Sequence, residues 1–463
     1  MKPMTLAELA LLSGARIVGD AGIVVADVVT DTRKLAADAA PGAELAPRLF
    51  VALQGANFDG HDHIAEAVQR GAVAVLVERE VDVPVAQLVV ENCERALADI
   101  ARGLQARRAG KLFAITGSNG KTSVKTLLLS ILQQAGAAYA NPGNFNNEIG
   151  LPLAVIQAPD DADFYIYEMG AGKPGDIAWL TAIARPDISV VNNIAAAHLE
   201  RMGSLLAIAD TKAAVYDDLS DAGTAVINAD EVYAPYFEAR AGRHRVLRYA
   251  LEASADVSAS AITLTAEGSQ FRLHTSAADA DITLAFAGRH NIANAVAAAA
   301  MALAAGVDIA DIRAGLQAAR PVAGRLLLRQ LGNGAQLIDD SYNANPGSLR
   351  AAIDTLAASG GESWLVLGDM RELGADEMAL HAEVGQQAKA AGIARLYALG
   401  SLSAHAAAAF GDGAQSFTDH ATLAESLRAE LHAGVRVLVK GSRGSAMDRV
   451  ASALLEGEDA DAA

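Results

Sequence analysis

Two glycines, a lysine and several hydroxyl side chains lie close together between residues 116 and 123, in the run TGSNGKTS. The run joins a predicted strand at residues 112–116 to a predicted helix at residues 121–134. Glycines let backbone N–H groups face an anion, and the N-terminus of the new helix carries a positive partial charge. Lys121 and Thr122 add a cation and a hydroxyl, so the loop suits nucleotide phosphates and Mg²⁺.

The spacing of this loop is GxxGKT rather than GxxxxGKT, because Ile115 stands where the first glycine of the usual motif would be. A helix start that is merely rich in small residues is the alternative interpretation. The strand before the loop and the amphipathic helix after it favour phosphate binding. The predicted phosphate-loop residues are Gly117, Ser118, Asn119, Gly120, Lys121, Thr122 and Ser123.

Glu168 and His198 are the next side chains that could do chemistry. Glu168 ends an apolar strand in the run FYIYEMG, and His198 follows the next predicted strand in NNIAAAHLE. Each has a plain structural interpretation, as an exposed carboxylate at a strand end and as a loop histidine. Both follow predicted parallel strands, and open α/β sheets bind ligands at the carboxyl ends of their strands. A carboxylate suits Mg²⁺, whereas histidine is a less usual ligand for it.

Alternating strands and helices predict an α/β fold of three domains that positions these side chains. Residues 1–92 are predicted to form a small α/β domain, and residues 93–319 a central domain with a mostly parallel sheet and an appended hairpin. Residues 320–463 are predicted to form a doubly wound, Rossmann-like sheet. The length of 463 residues agrees with domains of about 150 residues each.

Charge and cysteine content narrow the possible partners and the compartment. The formal net charge of −18 argues against nucleic acid as the main partner, because a phosphate backbone needs clustered lysines and arginines. An anionic nucleotide can still bind where positive charge is local. Cys93 is the only cysteine, so neither an intramolecular disulfide nor a cysteine-based zinc site can form. A reducing cytoplasm is therefore expected.

Neither a signal peptide nor membrane insertion is predicted. Glu8 interrupts the first apolar stretch and matches a helix capping box with Thr5. The alanine-rich run at residues 292–307 is shorter than the about 20 residues that a membrane span needs, and it contains Asn294. We interpret this run as a buried helix.

Many further motifs, in order along the chain, resemble those of the Mur ligases of peptidoglycan synthesis. With TGSNGKTS they are NPGNFNNEIGLP, YEMGA, NNIAAAHLE followed by Lys212, GRHNIANA, GRL, DDSYNANP, GDMRELG and KGSRG. The resemblance covers essentially the whole chain. It implies an ATP-dependent amide ligase whose three α/β domains bind, in order, a UDP-linked substrate, ATP and an incoming amine.

The resemblance also implies how ATP and magnesium would be held. Lys121 matches the lysine on the β and γ phosphates, and Thr122 matches the hydroxyl on Mg²⁺. Glu168 and His198 match positions that hold magnesium, of which two ions are expected. Lys212 alone would be interpreted as a solvated helix lysine, but it matches a lysine that family members carbamylate. Carbamylation turns a cation into an anionic oxygen ligand for the second Mg²⁺.

Other residues match family contacts to the nucleotide and to the substrates. His290, Asn291 and Asn294 match the motif beside the adenine. Arg325 matches the arginine that reaches the γ phosphate, and Asp340 the carboxylate near the ribose. The matched catalytic residues are Lys121, His198, Lys212 and Arg325. The matched substrate contacts are Asp31, Thr32 and Arg33 for UDP, Asn144, Asn146 and Asn147 for the muramoyl group, and Lys440, Ser442 and Arg443 for the amine.

These substrate contacts have structural alternatives. The first group could be a solvated turn, the asparagines could be turn formers, and each residue of the third group could cap a helix. The chain also departs from the family pattern at Ala214, where a glutamate often follows the carbamylated lysine, and at Asp448, where glutamate is more usual. The first departure leaves the electrostatics around Lys212 open.

The branch of the family is indicated by an absent motif. No DNPR-like run occurs, and that run is expected in the relative that adds diaminopimelate. The resemblance therefore favours the branch that joins D-alanyl-D-alanine to a UDP-N-acetylmuramoyl-tripeptide. The expected partners are these small molecules and ATP, and the expected state is a monomer.

Three alternatives stay open at the level of sequence. A folylpolyglutamate-type or other amide ligase would share the loop. A P-loop kinase would lack the NNIAAAHLE and DDSYNANP runs and would not need a third doubly wound domain. A non-catalytic nucleotide-binding protein would be free to lose Lys121, Glu168, His198 and Arg325, all of which are present.

Overall fold

Three α/β regions are seen in the computed structural model, which describes residues 1–37, 46–196, 198–265 and 267–460. Within those ranges the strands form three large sheets and two ribbons of two strands. We name the regions first, central and third after the predicted bounds 1–92, 93–319 and 320–463, and those bounds stay predictions. The mixed α/β class with mostly parallel sheets is confirmed.

The first region is built on a five-stranded sheet. The strands of the whole region, including those of two separate two-stranded ribbons, are β1 (Met4–Thr5), β2 (Arg16–Val18), β3 (Val24–Val25), β4 (Asp27–Val29), β5 (Arg48–Val51), β6 (Gln54–Gly55), β7 (Phe58–Asp59), β8 (Ala72–Val77) and β9 (Ala86–Val89). Its helices are α1 (Leu6–Ser13), α2 (Thr32–Ala37) and α3 (Ile64–Gln69). The sheet order is β2-β9-β8-β5-β4, with β2 antiparallel to β9 and the other pairs parallel.

One expectation for this region is wrong. The apolar run at residues 23–29 predicts a single strand, but the structure divides it into β3, which pairs with β1, and β4, which pairs with β5. The break lies at Ala26, whose backbone N–H donates to the Pro47 carbonyl at 2.7 Å. Sequence pattern alone does not distinguish one strand from two short strands with different partners.

The central region contains a nine-stranded sheet. Its strands are β10 (Lys111–Thr116), β11 (Ala138–Ala140), β12 (Phe164–Glu168), β13 (Ile188–Val191), β14 (Thr224–Asn228), β15 (Arg245–Ala250), β16 (Val257–Leu264), β17 (Ser269–His274) and β18 (Ala280–Leu284). Its helices are α4 (Cys93–Gln105), α5 (Lys121–Ala135), α6 (Gly150–Gln157), α7 (Asp176–Ala184), α8 (Leu199–Met202), α9 (Leu205–Ala213), α10 (Ala234–Ala241), α11 (Arg289–Ala304) and α12 (Ile309–Ala318).

The strand order of this sheet is β11-β12-β10-β13-β14-β15-β16-β17-β18. Every neighbouring pair from β11 to β16 is parallel, and β16, β17 and β18 are joined antiparallel. The predicted hairpin is therefore confirmed as β16 with β17, and Ala266 between them lies outside the described residues. The parallel arrangement places the ends of β10, β12 and β13 at one edge, where polar side chains follow each strand.

Apolar packing explains the position of the phosphate loop. Helix α5 packs against the sheet through Val124, Leu128 and Ile131, while α11 covers the same face with a fully buried alanine-rich surface. The prediction of a buried helix at residues 292–307 is confirmed over α11. Across the described ranges, no helix has both the length and the apolar character needed to cross a membrane.

The third region is a six-stranded sheet covered on both faces. Its strands are β19 (Leu327–Gln330), β20 (Gln336–Asp340), β21 (Glu362–Gly368), β22 (Arg395–Leu399), β23 (Ala414–Phe417) and β24 (Val435–Lys440), and its helices are α13 (Pro346–Ala358), α14 (Glu377–Ala390), α15 (Ser403–Phe410), α16 (His420–Glu430) and α17 (Asp448–Ala460). The order is β19-β20-β24-β21-β22-β23, with only β19 antiparallel to its neighbour. Separate apolar clusters lie on the two faces, as the predicted doubly wound arrangement requires.

Candidate active site

A cavity of about 740 Å³ lies between the central and third regions and has the size of a small-molecule site. Its wall contains most of the residues that the sequence singles out. They are Ser118, Asn119, Gly120, Lys121, Thr122, Ser123, Asn144, Asn146, Asn147, Glu168, His198, His290, Asn291, Asn294, Arg325, Asp340, Lys440 and Arg443.

The remaining predicted site residues do not line this cavity. Gly117 and Lys212 lie behind its wall, and the Ser442 hydroxyl donates to the Asp369 carbonyl at 2.6 Å. Asp31, Thr32 and Arg33 lie in the first region at the start of α2. There, Arg33 Nη2 is 2.6 Å from Asp31 Oδ2, and hydrogen bonds from Arg33 lower the pKa of Asp31 to about 2.

The phosphate loop is held by asparagine side chains. Gly120 has a φ of +79°, and a Cβ added there would lie 2.5 Å from Asn192 Nδ2 and from Asn294 Oδ1, so the position requires glycine. Asn192 Nδ2 donates to the Asn119 carbonyl at 3.0 Å and to Asn294 Oδ1 at 2.8 Å. Asn193 Oδ1 accepts from the Asn119 N–H at 2.9 Å. The loop is therefore fixed to the segment after β13 and to α11.

Lys121 folds back over its own loop. Its Nζ donates to the Gly117 carbonyl at 2.7 Å and lies 3.5 Å from the Ser118 carbonyl. Burial lowers the pKa of Lys121 and nearby Arg325 adds to the effect, whereas Glu168 opposes it. An anionic ligand in the cavity would replace these neutral carbonyls with a charged partner.

A carboxylate and a hydroxyl meet beside the loop. Glu168 is the last residue of β12 and is buried, and its Oε2 accepts from Thr122 Oγ1 at 3.0 Å while its Oε1 accepts from Asn146 Nδ2 at 2.8 Å. Burial raises the pKa of Glu168, but Lys125, Lys121 and the two hydrogen bonds outweigh it and hold the pKa below its usual value. Lys125 Nζ is 3.2 Å from Glu168 Oε2, a contact that the sequence analysis did not identify.

The donor set at this point fits magnesium. A carboxylate and a threonine hydroxyl are hard oxygen ligands, and Mg²⁺ bound to nucleotides commonly takes one or two such ligands together with phosphate oxygens. Among the described residues, no group of three or more His, Cys, Asp or Glu side chains is arranged to hold a metal without such help. Thr122 and Glu168 are therefore suited to a metal that arrives with a nucleotide.

His198 contacts a side chain of the third region. It adopts a left-handed backbone conformation with a φ of +56°, and its Nδ1 pairs with Glu372 Oε2 of the third region. His198 and Glu168 both line the cavity, but the imidazole contacts Glu372. Glu372 lies in the GDMRELG run, so a motif signal existed although no role was predicted for this residue.

Lys212 is buried rather than solvated, with 2% of its surface exposed on α9. Burial lowers the pKa of Lys212 well below its usual value, and Lys121 adds to this effect while Asp176 opposes it. Within the described part of the chain, no hydrogen bond or ion pair involves the Lys212 side chain. These conditions favour the uncharged amine, which is the form that can react with carbon dioxide.

The third region reaches the phosphate loop through two side chains. Arg325 Nη2 donates to Thr122 Oγ1 at 3.3 Å, and the guanidinium carbon lies 4.0 Å from the centre of the Tyr342 ring. Asn345 Nδ2 donates to Asn119 Oδ1 at 2.7 Å. Both contacts cross the cavity, so the loop is bounded by the two regions together.

Asp340 and Lys440 contact each other, although the sequence matches assign them to different ligands. They are paired residues on β20 and β24, and Lys440 Nζ donates to Asp340 Oδ2 at 2.5 Å and to the Asn343 carbonyl at 2.9 Å. Burial raises the pKa of Asp340, and Lys440 opposes that rise. Burial lowers the pKa of neighbouring His290 to about 4 with Lys440 adding to the effect, so this imidazole is neutral near pH 7.

Comparison with protein families gives three matches along the chain. The profile described as the Mur ligase middle domain matches residues 115–302. The profile described as Mur ligase, glutamate ligase domain matches residues 324–443, and that described as the Mur ligase family catalytic domain matches residues 44–106. The cavity described above is lined mainly by residues within the first two matches.

Individual relatives match over nearly their full length. A curated UDP-N-acetylmuramoyl-tripeptide--D-alanyl-D-alanine ligase from Escherichia coli (strain K12) is 40% identical, with 98% of this chain and 99% of the relative covered. A crystal structure of MurF from Acinetobacter baumannii superposes with a TM-score of 0.91 at 30% identity, covering 98% of this chain and 99% of that one. MurF from Thermotoga maritima in complex with ADP gives a TM-score of 0.82 at 26% identity, covering 94% and 98%.

Proposed function

The chain belongs to the Mur ligase family, and we propose that it uses ATP to join D-alanyl-D-alanine to a UDP-N-acetylmuramoyl-tripeptide in peptidoglycan precursor synthesis. The observation that carries this proposal is the convergence on Thr122 of Glu168 from the central region and Arg325 from the third region. The name of the Escherichia coli relative, at 40% identity over 98% of this chain, supports the choice of substrates.

The proposed reaction forms an amide in two steps. A carboxylate is a poor acylating agent because an oxide would have to leave, so the terminal carboxylate of the tripeptide first attacks the γ phosphate of ATP. This step gives an acyl phosphate and ADP. The free amine of D-alanyl-D-alanine then attacks the acyl carbon, phosphate leaves, and the amine loses a proton.

The first step brings a carboxylate and a polyphosphate together, so local positive charge is its main requirement. We assign this charge to Lys121 on the β and γ phosphates and to Arg325 on the γ phosphate. Thr122 and Glu168 would hold Mg²⁺, with His198 and a carbamylated Lys212 as further ligands for a second ion. Bound magnesium would neutralise phosphate charge and withdraw electrons from the γ phosphorus.

The remaining cavity residues have proposed binding roles. We assign His290, Asn291 and Asn294 to the adenine side and Asp340 to the ribose. The asparagines at 144, 146 and 147 would contact the muramoyl substrate, and Lys440 with Arg443 would face the incoming amine. Asp31, Thr32 and Arg33 remain assigned to UDP and Ser442 to the amine side, although these four do not line the cavity.

Closure of the third region over the cavity would exclude water from the acyl phosphate, which hydrolyses readily. The contacts of Asn345 and Glu372 with the central region support this role. The cytoplasmic location and the monomeric state expected from the sequence stay predictions.

Phosphate release by the purified protein tests the proposal. We expect release to require ATP, Mg²⁺ and the UDP-muramoyl tripeptide, and to rise sharply when D-alanyl-D-alanine is added, because the amine consumes the acyl phosphate. Mass spectrometry should detect the UDP-muramoyl pentapeptide. Glutamate and diaminopimelate, each tested in place of the dipeptide, serve as controls, and efficient product formation with either would assign the protein to another branch of the family.

A further inference from the structure

Lys125 is a buried lysine beside the candidate active site, and its ammonium contacts three oxygen atoms. It lies on α5 one helical turn after Lys121, and 6% of its surface is exposed. Its Nζ donates to the Asn141 carbonyl at 3.0 Å and to the Gly143 carbonyl at 3.1 Å, and it lies 3.2 Å from Glu168 Oε2. The ammonium therefore gives hydrogen bonds to two backbone carbonyls and places its charge against the Glu168 carboxylate.

The two carbonyls belong to the segment that carries the asparagines assigned above to the muramoyl substrate. Asn141 Oδ1 accepts from the Glu168 N–H at 2.9 Å, and its Nδ2 donates to the Glu168 carbonyl at 3.1 Å. Asn146 Nδ2 donates to the Glu168 carboxylate at 2.8 Å. Lys125, Glu168 and the segment at residues 141–147 therefore form one connected network.

The charge of Lys125 is what makes this network stable when buried. A buried carboxylate without a counter-charge is costly, and so are buried carbonyls without donors. Lys125 offsets the charge of Glu168 on Oε2, the same oxygen that accepts from Thr122. Without the ammonium, the two carbonyls would lose a donor and the carboxylate its nearest counter-charge, so we expect the segment at residues 141–147 to shift relative to Glu168.

We propose that Lys125 is a positioning residue that couples the binding of magnesium nucleotide at Thr122 and Glu168 to the binding of the muramoyl substrate at the asparagine segment. The inference rests on the proposed function, because it assigns ligands to these two sites. Each ligand would restrict the motion of the same network. The ligand that binds first therefore lowers the entropic cost of binding the second, and this coupling must be reciprocal.

Calorimetric titration with Mg²⁺ and ADP tests this coupling without catalysis. For the unaltered protein we expect the UDP-muramoyl tripeptide to tighten Mg·ADP binding by about fivefold or more. Lys125→Met keeps the apolar stem and removes the charge, so we expect Mg·ADP affinity to fall about tenfold or more and the effect of the tripeptide to disappear. Lys125→Arg keeps the charge and should restore part of both.

Controls separate this role from a general effect on folding. Lys111→Met removes an exposed lysine at the start of β10 and should leave both affinities unchanged. If Lys125→Met does not fold, Lys125→Gln supplies N–H donors without charge and should show the same loss of coupling. In the ligation assay, KM for ATP and for the tripeptide should rise in the Lys125 variants while KM for D-alanyl-D-alanine stays within about twofold.

The outcomes distinguish the inference from the proposed function. A folded Lys125→Met protein that retains both the Mg·ADP affinity and its response to the tripeptide would overturn the role of Lys125. An equal rise in all three KM values would overturn it as well, since that pattern indicates general distortion. An unaltered protein that binds Mg·ADP but forms no pentapeptide would instead contradict the proposed function.

Discussion

The two walls of the cavity hold their polar side chains in different ways. On the central wall, Asn192, Asn294 and Glu168 find their partners within the same region and are buried. On the third wall, Arg325 and Asn345 have partners across the cavity. The central wall is therefore preformed by its own sheet and helices, and so is the Asp340–Lys440 pair of the third wall. The contacts of Arg325 and Asn345 with the central region, in contrast, exist only while the two regions are docked.

This difference has an energetic consequence. A hydrogen bond that exchanges with water contributes only about 0.5–1.5 kcal/mol, so the few contacts across the cavity can break and form during a catalytic cycle. If the buried groups of the central wall moved, they would lose their hydrogen-bond partners without gaining water in exchange, and this cost makes that wall rigid. We therefore expect substitutions of central-wall residues such as Lys121 to affect the chemical step, and substitution of Asn345 on the third wall to affect docking.

Lys121→Ala is the strongest way to test the central wall. Removal of one preorganised charge beside the phosphates should lower kcat by about a hundredfold or more. Lys121 is half-buried, its hydrogen bonds go to neutral loop carbonyls, and Lys125 remains as a counter-charge for Glu168, so the thermal midpoint should change little. Steady-state phosphate release and a thermal melt measure the two effects.

The matched control is Lys111→Ala, which removes an exposed lysine from the strand that leads into the loop. This variant should keep full activity. Near-normal turnover by a well-folded Lys121→Ala protein would contradict the assignment of the loop to ATP.

Lys212→Ala tests the buried lysine behind the same wall. If Lys212 is carbamylated, this variant should lose most activity and recover part of it with added short-chain carboxylates, which can supply the missing anionic oxygen. Lys212→Arg should be no better than alanine, because a guanidinium keeps its positive charge and does not form the carbamate. Activity at increasing acetate or propionate concentration measures the recovery.

Two results would count against this role. An active Lys212→Arg enzyme would show that a cation is sufficient at this position. Recovery of the Lys121→Ala variant by the same carboxylates would show that the rescue is not specific to the space left by Lys212.

Asn345→Ser tests the third wall and should have the smallest effect. Asn345 caps α13 and also reaches Asn119, and serine keeps a capping oxygen while its side chain is too short for the second contact. We expect kcat/KM to fall about two- to tenfold, the value of one hydrogen bond, with an almost unchanged melting temperature. Kinetics with each substrate varied in turn measures this effect, and a hundredfold loss would mean that the third wall is as rigid as the central one.

Much of the fold follows from local sequence patterns. The sequence pattern predicts strands at residues 112–116, 164–169, 188–193 and 224–228, and β10, β12, β13 and β14 occur within about two residues of these bounds. Each is a short apolar run bounded by polar or glycine-containing segments. The phosphate loop was also predictable, since its glycines, lysine and hydroxyls are consecutive. The division of residues 23–29 into β3 and β4 was not, because it depends on Pro47 and on β1 and β5.

Site residues divide in a similar way. Sequence motifs identified the side chains around the cavity, but the contacts His198–Glu372 and Asp340–Lys440 join residues that are 174 and 100 positions apart. The local sequence around each of these residues does not indicate which distant side chain it contacts. The contact of Lys125 with Glu168 was missed for the same reason, because a lysine one turn into a helix is usually exposed.

The sequence by itself determined the order of the elements, the phosphate loop and the resemblance to the Mur ligases, because these depend on residue types at short spacing. Only the tertiary structure decided which charges are buried and which side chains face each other. Lys212 illustrates the physical reason: its position on α9 suggests a solvated cation, yet the packing of α9 removes its hydration and shifts it towards the neutral amine. Burial and long-range pairing are properties of the assembled fold, and local spacing does not encode them.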